Sequence, residues 1–223
     1  MVTMSTSSRP RPRSRPAARL RPYHHGDLRR ALLAAALELV RLRGPEGFTL
    51  REAARRVGVS QTAPYRHFRT KEALLAAVAE EGFRALLGRL EEVAAGAGTD
   101  PLPRLRALGE ATFEFYVVDA ARFRVMFGPA SARKDRYPAL AEAWQRVNAL
   151  LLEALVACQG AGQIRVGDPL ELGLTTAAMV HGLAALVADG QLGPAVAGVD
   201  TAREVYRRAR EVLFVGLAPR RRP

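Results

Sequence analysis

The sequence predicts an all-α fold, with a three-helix head built on a helix-turn-helix and a body made of a bundle of longer helices. Three observations carry that expectation. Residues 49–74, TLREAARRVGVSQTAPYRHFRTKEAL, hold two short helical segments around a tight glycine turn. Beyond them, apolar residues recur at helical spacing over long runs separated by Gly-containing breaks. Asp100-Pro101 and Asp168-Pro169 each join a capping side chain to a proline at the first helical position, a helix start signal.

In chain order, residues 1–22 combine Ser, Pro and six Arg (Arg9, Arg11, Arg13, Arg15, Arg19, Arg21) with no acid, so this tail is expected to be disordered. Such an arm can enter a DNA minor groove or serve only to solubilise, and both readings stay open. Helix 1 is expected over 27–43, with Leu28, Leu32, Ala35, Ala36, Leu39 and Val40 as its buried stripe, and Gly44-Pro45-Glu46-Gly47 breaks it. Adjacent His24 and His25 have no acid or Cys cluster at ligand spacing, so no metal is expected.

The first helix of the central pair starts after Thr49, whose hydroxyl caps it while Glu52 reaches back in a capping box. Gly58 ends it where positive φ is wanted. Ser60 is expected to cap a second helix over 61–67. Two such helices form a DNA-reading unit whose second helix enters the major groove. Gln61, Thr62 and Ala63 then meet base edges, since Gln can bond adenine bidentately and a Thr methyl can touch thymine. Tyr65, His67, Thr49, Thr70 and Lys71 can position phosphates, and Arg51, Ser60 and Pro64 complete the expected DNA-binding set. A helix-turn-helix used only as a packing corner is the alternative.

A long helix is expected over 70–94, then helices over 101–118 and 120–127, a polar loop over 130–137 and a helix over 138–159. A further helix covers about 169–189, a loop 190–198, and a last helix capped by Asp200 runs to 217. The resulting division is a tail at 1–22, a head at 23–70, a body at 71–218 and a basic tail at 219–223.

Charge separates the two parts. Residues 1–69 hold 15 Arg and 4 acids, a balance of +11, whereas residues 70–223 hold 19 basic and 18 acidic groups, a balance of +1. The positive field sits on the head, which points to a polyanionic partner for the head and a neutral role for the body. A single cysteine, Cys158, excludes an intrachain disulfide and fits a small buried hydrophobe. The N-terminus lacks a signal-peptide apolar segment, and the apolar stretch 170–192 carries His181 and Asp189. That stretch is expected to be buried in protein rather than to span a membrane, which places the protein in the cytoplasm.

The head resembles the DNA-binding domain of TetR-family transcriptional regulators. The resemblance runs through Leu32, Ala36, Leu39, Gly44, Phe48-Thr49-Leu50, Ala53-Ala54, Val57-Gly58-Val59-Ser60, Tyr65, His67-Phe68 and Lys71-Glu72-Ala73-Leu74. It implies an effector-binding and dimerisation body, with the last two helices of each chain forming a bundle in a homodimer. Two apolar sides on residues 170–186 and the need to read two half-sites about 34–36 Å apart argue independently for two subunits. The resemblance also implies a small-molecule pocket, for which Phe113, Tyr116, Phe123, Met126, Phe127, Trp144, Met179 and His181 are the candidates. Val180-His181-Gly182-Leu183 resembles the His-Gly element of a subgroup marked by Trp, His and Gly, but Ala177 stands where the Trp is expected.

The expected function is therefore sequence-specific transcriptional regulation, as a repressor released from a palindromic double-stranded DNA operator by a small, largely apolar effector. The alternative is a sequence-tolerant DNA-compacting protein with no effector, marked by a steep salt slope. No phosphate loop, metal spacing or nucleophile beside a His suggests an enzyme or a cofactor.

Overall fold

Helix signals in the sequence become nine α-helices among the described residues, which are 25–196 and 198–218 of a computed structural model. They are α1 (His25–Arg43), α2 (Leu50–Val57), α3 (Lys71–Gly96), α4 (Pro101–Val118), α5 (Ala120–Met126), α6 (Pro129–Ala132), α7 (Pro138–Gly160), α8 (Pro169–Ala188) and α9 (Val199–Leu217). The described residues contain no strand, in keeping with the all-α expectation. The expectations for both basic tails and for His24 lie outside the described residues.

Helix starts follow local chemistry. The Thr49 and Thr70 hydroxyls accept the backbone N–H groups of Glu52 and Ala73 at 3.2 and 3.0 Å. Asp100, Asp119 and Asp168 accept those of Leu102, Arg122 and Leu170 in the same way. Prolines occupy the first turn of α4, α6, α7 and α8, where a missing N–H leaves no broken bond. Gly58 closes α2 with φ of 78°, and its N–H bonds the carbonyls of Ala54 and Arg55.

α3 is the axis on which head and body are built. At 26 residues it is about 39 Å long. It packs on α1 of the head and on α4, α5 and α7 of the body. Leu74, Phe83, Leu86 and Leu90 along it are nearly inaccessible to water. Gly82 sits where α5 comes closest, because a Cβ there would meet Met126 at 2.7 Å. α4 then packs against α7, α8 and α9, and Phe113 stacks on Tyr206 with centroids 4.7 Å apart.

Several expectations are corrected. Residues 61–67 do not form an α-helix; Ala63–Arg66 is a 3-10 turn. Pro64 offers no N–H, and the segment closes through bonds such as His67 N–H to Pro64 O at 2.9 Å, the tighter spacing used in short pieces. Ser60 caps nothing; its hydroxyl lies 3.2 Å from that of Thr62. The loop expected over 130–137 holds α6 and a second 3-10 turn, Lys134–Arg136, and Pro194–Val196 adds another within 190–198. Asp200 lies inside α9 rather than capping it, and accepts a bond from Arg203 at 2.9 Å.

α8 also departs from expectation, because one protomer does not bury it. It is long and apolar enough to cross a membrane by length and composition, with mean hydropathy 1.5, yet only 17% of that window is buried. Leu170 and Leu174 are 68% and 72% exposed. Neighbouring α9 exposes Val212 and Val215. α8 packs against α4, α7 and α9, and these leave Leu170 and Leu174 open.

The capping box gives a direct check on local stability. Thr49→Ala removes the hydroxyl that Glu52 N–H bonds and should cost about 1 kcal/mol. A urea titration should show the midpoint falling with its slope unchanged.

Candidate DNA interface and effector cavity

The head is held rigid by polar ties between α1, α2 and the start of α3. The Thr49 backbone N–H donates to Glu52 Oε2 at 2.9 Å, and Arg43 donates to Glu52 Oε1 at 2.9 Å. Bonds from the Thr49 hydroxyl and backbone, with the Arg43 guanidinium, hold the Glu52 carboxyl below its usual range. Arg56 donates to Glu38 at 2.7 Å and fixes α2 against α1. These pairs are exposed, so their value lies in orientation more than in stability.

On this frame Gln61, Thr62 and Tyr65 are exposed together on the 3-10 turn and its approach. Ser60, Arg51, Thr49 and Thr70 are exposed as well, and Ala63 is half-buried. Pro64 is buried and packs within the head, leaving it a conformational part. His67 is half-buried, and its Nε2 is enclosed without a hydrogen-bond partner. Lys71 is held within the head: its ammonium donates to Glu46 Oε2 at 2.9 Å and lies 5.6 Å from the Phe48 ring centroid. Arg55, Arg66 and Arg69 are exposed and carry no ion pair among the described residues, so they join Arg51 as open cations beside the turn. They belong to the positive balance of the head, but no motif residue in the sequence marks them individually.

The body holds a cavity of about 350 Å³ between α3, α4, α7, α8 and α9, open on the α8 side, where Leu170 and Leu174 line it and are exposed. Of the expected pocket residues, Tyr116, Phe127, Trp144, Met179 and His181 line it. Phe113, Phe123 and Met126 do not. Phe113 is spent on Tyr206, Phe123 packs behind His181 with centroids 5.0 Å apart, and Met126 faces Gly82. Residues not anticipated include Thr112, Asn148, Tyr206, Arg106, Arg210 and Phe214. Ala177, standing where the resemblance called for Trp, lines the cavity, so its small side chain adds to the open volume.

Most of the lining is apolar, with polar groups at a few points. Burial pushes the Tyr116 and Tyr206 hydroxyls well above the ordinary phenol range and keeps both protonated. The His181 ring lies edge-on to Phe127 with centroids 4.5 Å apart. Burial also lowers the His181 pKa from its ordinary value, so the ring is neutral at physiological pH.

An ion pair links α1 of the head to the start of α5 in the body. Arg41 on α1 donates to Asp119 Oδ2 at 2.7 Å, and Asp119 caps α5, the helix that carries Phe123. Burial pushes the Asp119 carboxyl up, but bonds from the Arg122 backbone and from the Arg41 and Arg122 guanidiniums outweigh it and hold the carboxyl low.

The His181 shift predicts a pH dependence. Its folded pKa lies below the unfolded value of 6.5, so between the two the unfolded chain binds more protons. Stability is therefore lost as pH falls below about 6.5, and His181 contributes nothing above it. His181→Gln should flatten the fall in urea midpoint between about pH 7 and about pH 5. Equal slopes in the two proteins would count against the burial of that ring.

Comparison with known proteins agrees with this architecture. Residues 32–78 match the family described as bacterial regulatory proteins, tetR family, and residues 105–211 match the tetracyclin repressor-like C-terminal domain. The tetracycline repressor protein class C of Escherichia coli is 52% identical over 52 residues, which is 23% of this chain and 24% of that protein. The match thus spans about a quarter of the length of such curated relatives. A protein of unknown function from Rhodococcus sp. RHA1 is 35% identical with a TM-score of 0.72, over 89% of this chain and 100% of that one. The transcriptional regulator FadR of Bacillus subtilis, solved in complex with stearoyl-CoA, shares the fold at 17% identity and a TM-score of 0.69, over 84% of this chain and 98% of that one. With one description matching the head and another the body, the chain belongs to the TetR family of transcriptional regulators.

Proposed function

We propose that this chain is a homodimeric, cytoplasmic repressor that reads a palindromic DNA operator and is released from it by a small effector held in the body cavity. The observation that carries this reading is one continuous helix: α3 begins beside the exposed Gln61–Thr62–Tyr65 surface and ends against the cavity-lining helices. A ligand that moves the α3 wall or α5 reaches the head through α3 itself and through the Arg41–Asp119 pair. Only differential affinity for the two head spacings does this work, so DNA must weaken effector binding by the same factor.

Gln61, Thr62 and Ala63 meet base edges in this reading. Tyr65, Thr49, Thr70 and the open arginines position phosphates, and Lys71 and His67 act by holding the turn in place. The exposed apolar faces of α8 and α9 supply the subunit contact, which also explains a helix of mean hydropathy 1.5 on the surface of a protomer. No catalytic role or cofactor is assigned.

Titration against the chain's own upstream DNA and a scrambled duplex at two salt concentrations tests the reading. Selective binding with two subunits per site is expected. Gln61→Ala should cost about 1–3 kcal/mol on the operator and little on the scrambled duplex. Equal, strongly salt-dependent binding to both duplexes would favour DNA compaction instead. Paired Val212→Asp and Val215→Asp substitutions on α9 should yield a monomer by analytical ultracentrifugation and abolish two-subunit binding, leaving only weak single-head contact.

A further inference from the structure

The cavity is elongated. Its lining on α4 extends over residues 105–116, on α7 over 144–155 and on α8 over 170–181. Each stretch advances 11 positions, about 16 Å along a helix. A cavity of about 350 Å³ is somewhat more than twice the roughly 150 Å³ that holds one benzene. A fitting ligand therefore has roughly 14 non-hydrogen atoms arranged lengthwise.

The two ends differ chemically. At one end Tyr116, Phe127 and His181 form a ring cluster, with centroids 5.3 Å apart for Tyr116–Phe127 and 4.5 Å for Phe127–His181. It offers neutral hydrogen-bonding groups and no fixed charge. At the other end Arg106 lies over the Phe214 ring at 5.1 Å, and Arg210 lies beside Tyr206. The charged groups in the lining are these two arginines, and the lining includes no carboxylate.

Their partners stand outside the lining. Arg210 is bound by Glu110 at 3.3 Å and by Glu211 at 3.0 Å, so its charge is offset and few of its donors are free. Arg106 gives one Nη2 bond to Glu211 at 3.1 Å, and its Nε–H is buried with no hydrogen-bond partner. A buried guanidinium donor left unmade is costly, and a ligand oxygen that meets it makes a charge-assisted bond. Neither a cationic nor a purely apolar ligand would satisfy it.

We infer that the effector is an elongated apolar molecule with a single anionic head, a monocarboxylate in chemical class, whose head meets Arg106 and whose tail runs to the Tyr116–Phe127–His181 ring cluster. This rests on the reading of the cavity as the effector site. It further predicts that cationic lipophiles bind weakly, because the buried Arg106 Nε–H is a donor that a cation cannot meet.

The test uses decanoate, decanol and decylamine, three chains of one length, titrated into the full chain below their aggregation concentrations. Trp144 is the single tryptophan and lines the cavity, so its fluorescence reports a ligand bound there. Decanoate should bind about tenfold or more tighter than decanol, and decylamine weakest. In Arg106→Gln the preference for decanoate should vanish while decanol affinity is kept, and Arg106→Lys should restore much of it. Glu211 keeps Arg210 as a partner in both variants, and retained decanol binding reports that the body is folded. Decanol or decylamine binding as tightly as decanoate overturns the anionic class and leaves the cavity reading intact. Silence of Trp144 with all three overturns both.

Discussion

The burial of α3 is the constraint on which the rest depends. A 26-residue helix with apolar groups on nearly every side cannot stand in water, so both the head and the body must cover it. α1 covers part of it, and α4, α5 and α7 cover more. The two parts of the chain are thereby joined through a shared core and not a linker, since the apolar cluster is continuous from Leu28 on α1 to Leu217 at the end of α9. α3 thus runs from the exposed turn at its start to Phe83 in the cavity wall, one rigid element shared by both sites.

Close packing elsewhere makes the cavity a local exception. Gly109 lets Tyr206 approach α4, because a Cβ there would meet the Tyr206 hydroxyl at 2.5 Å. Tyr206 then stacks on Phe113, and the ring pair seals one wall. Small residues at Gly173 and Ala177 leave the α8 wall thin. An apolar void forfeits dispersion contacts along its lining, so it persists only where neighbouring packing is strong enough to hold it open. Arg106, with a donor left unmade at one end, shows the same imbalance in polar form.

The head was legible in the residues themselves. Thr49, Glu52 and Gly58 act through bonds within a few positions, so a capping box and a left-handed stop could be placed before any tertiary contact was known. The turn at residues 61–67 was not, because Pro64 and the few available bonds favour a tighter spacing than the α-helix that helical residue types suggest. In the body, caps and prolines marked α4, α7 and α8 well, yet Arg106, Tyr206 and Arg210 went unnoticed as cavity residues. They lie far apart in the chain, on α4 and α9, and nothing in the local pattern of either helix signals the other.

By itself the sequence determined most of the helical segments, where most of them start and stop, and that positive charge belongs to the head. Those properties follow from short-range hydrogen bonding and composition. Only the tertiary structure decided that Phe113 is core while Tyr116 faces the cavity, that Lys71 is tied to Glu46 while Arg66 and Arg69 stay open, and that α8 leaves an apolar face uncovered. The physical reason is that burial and pairing belong to side chains brought together across the fold, whereas periodicity records only which residues share a face.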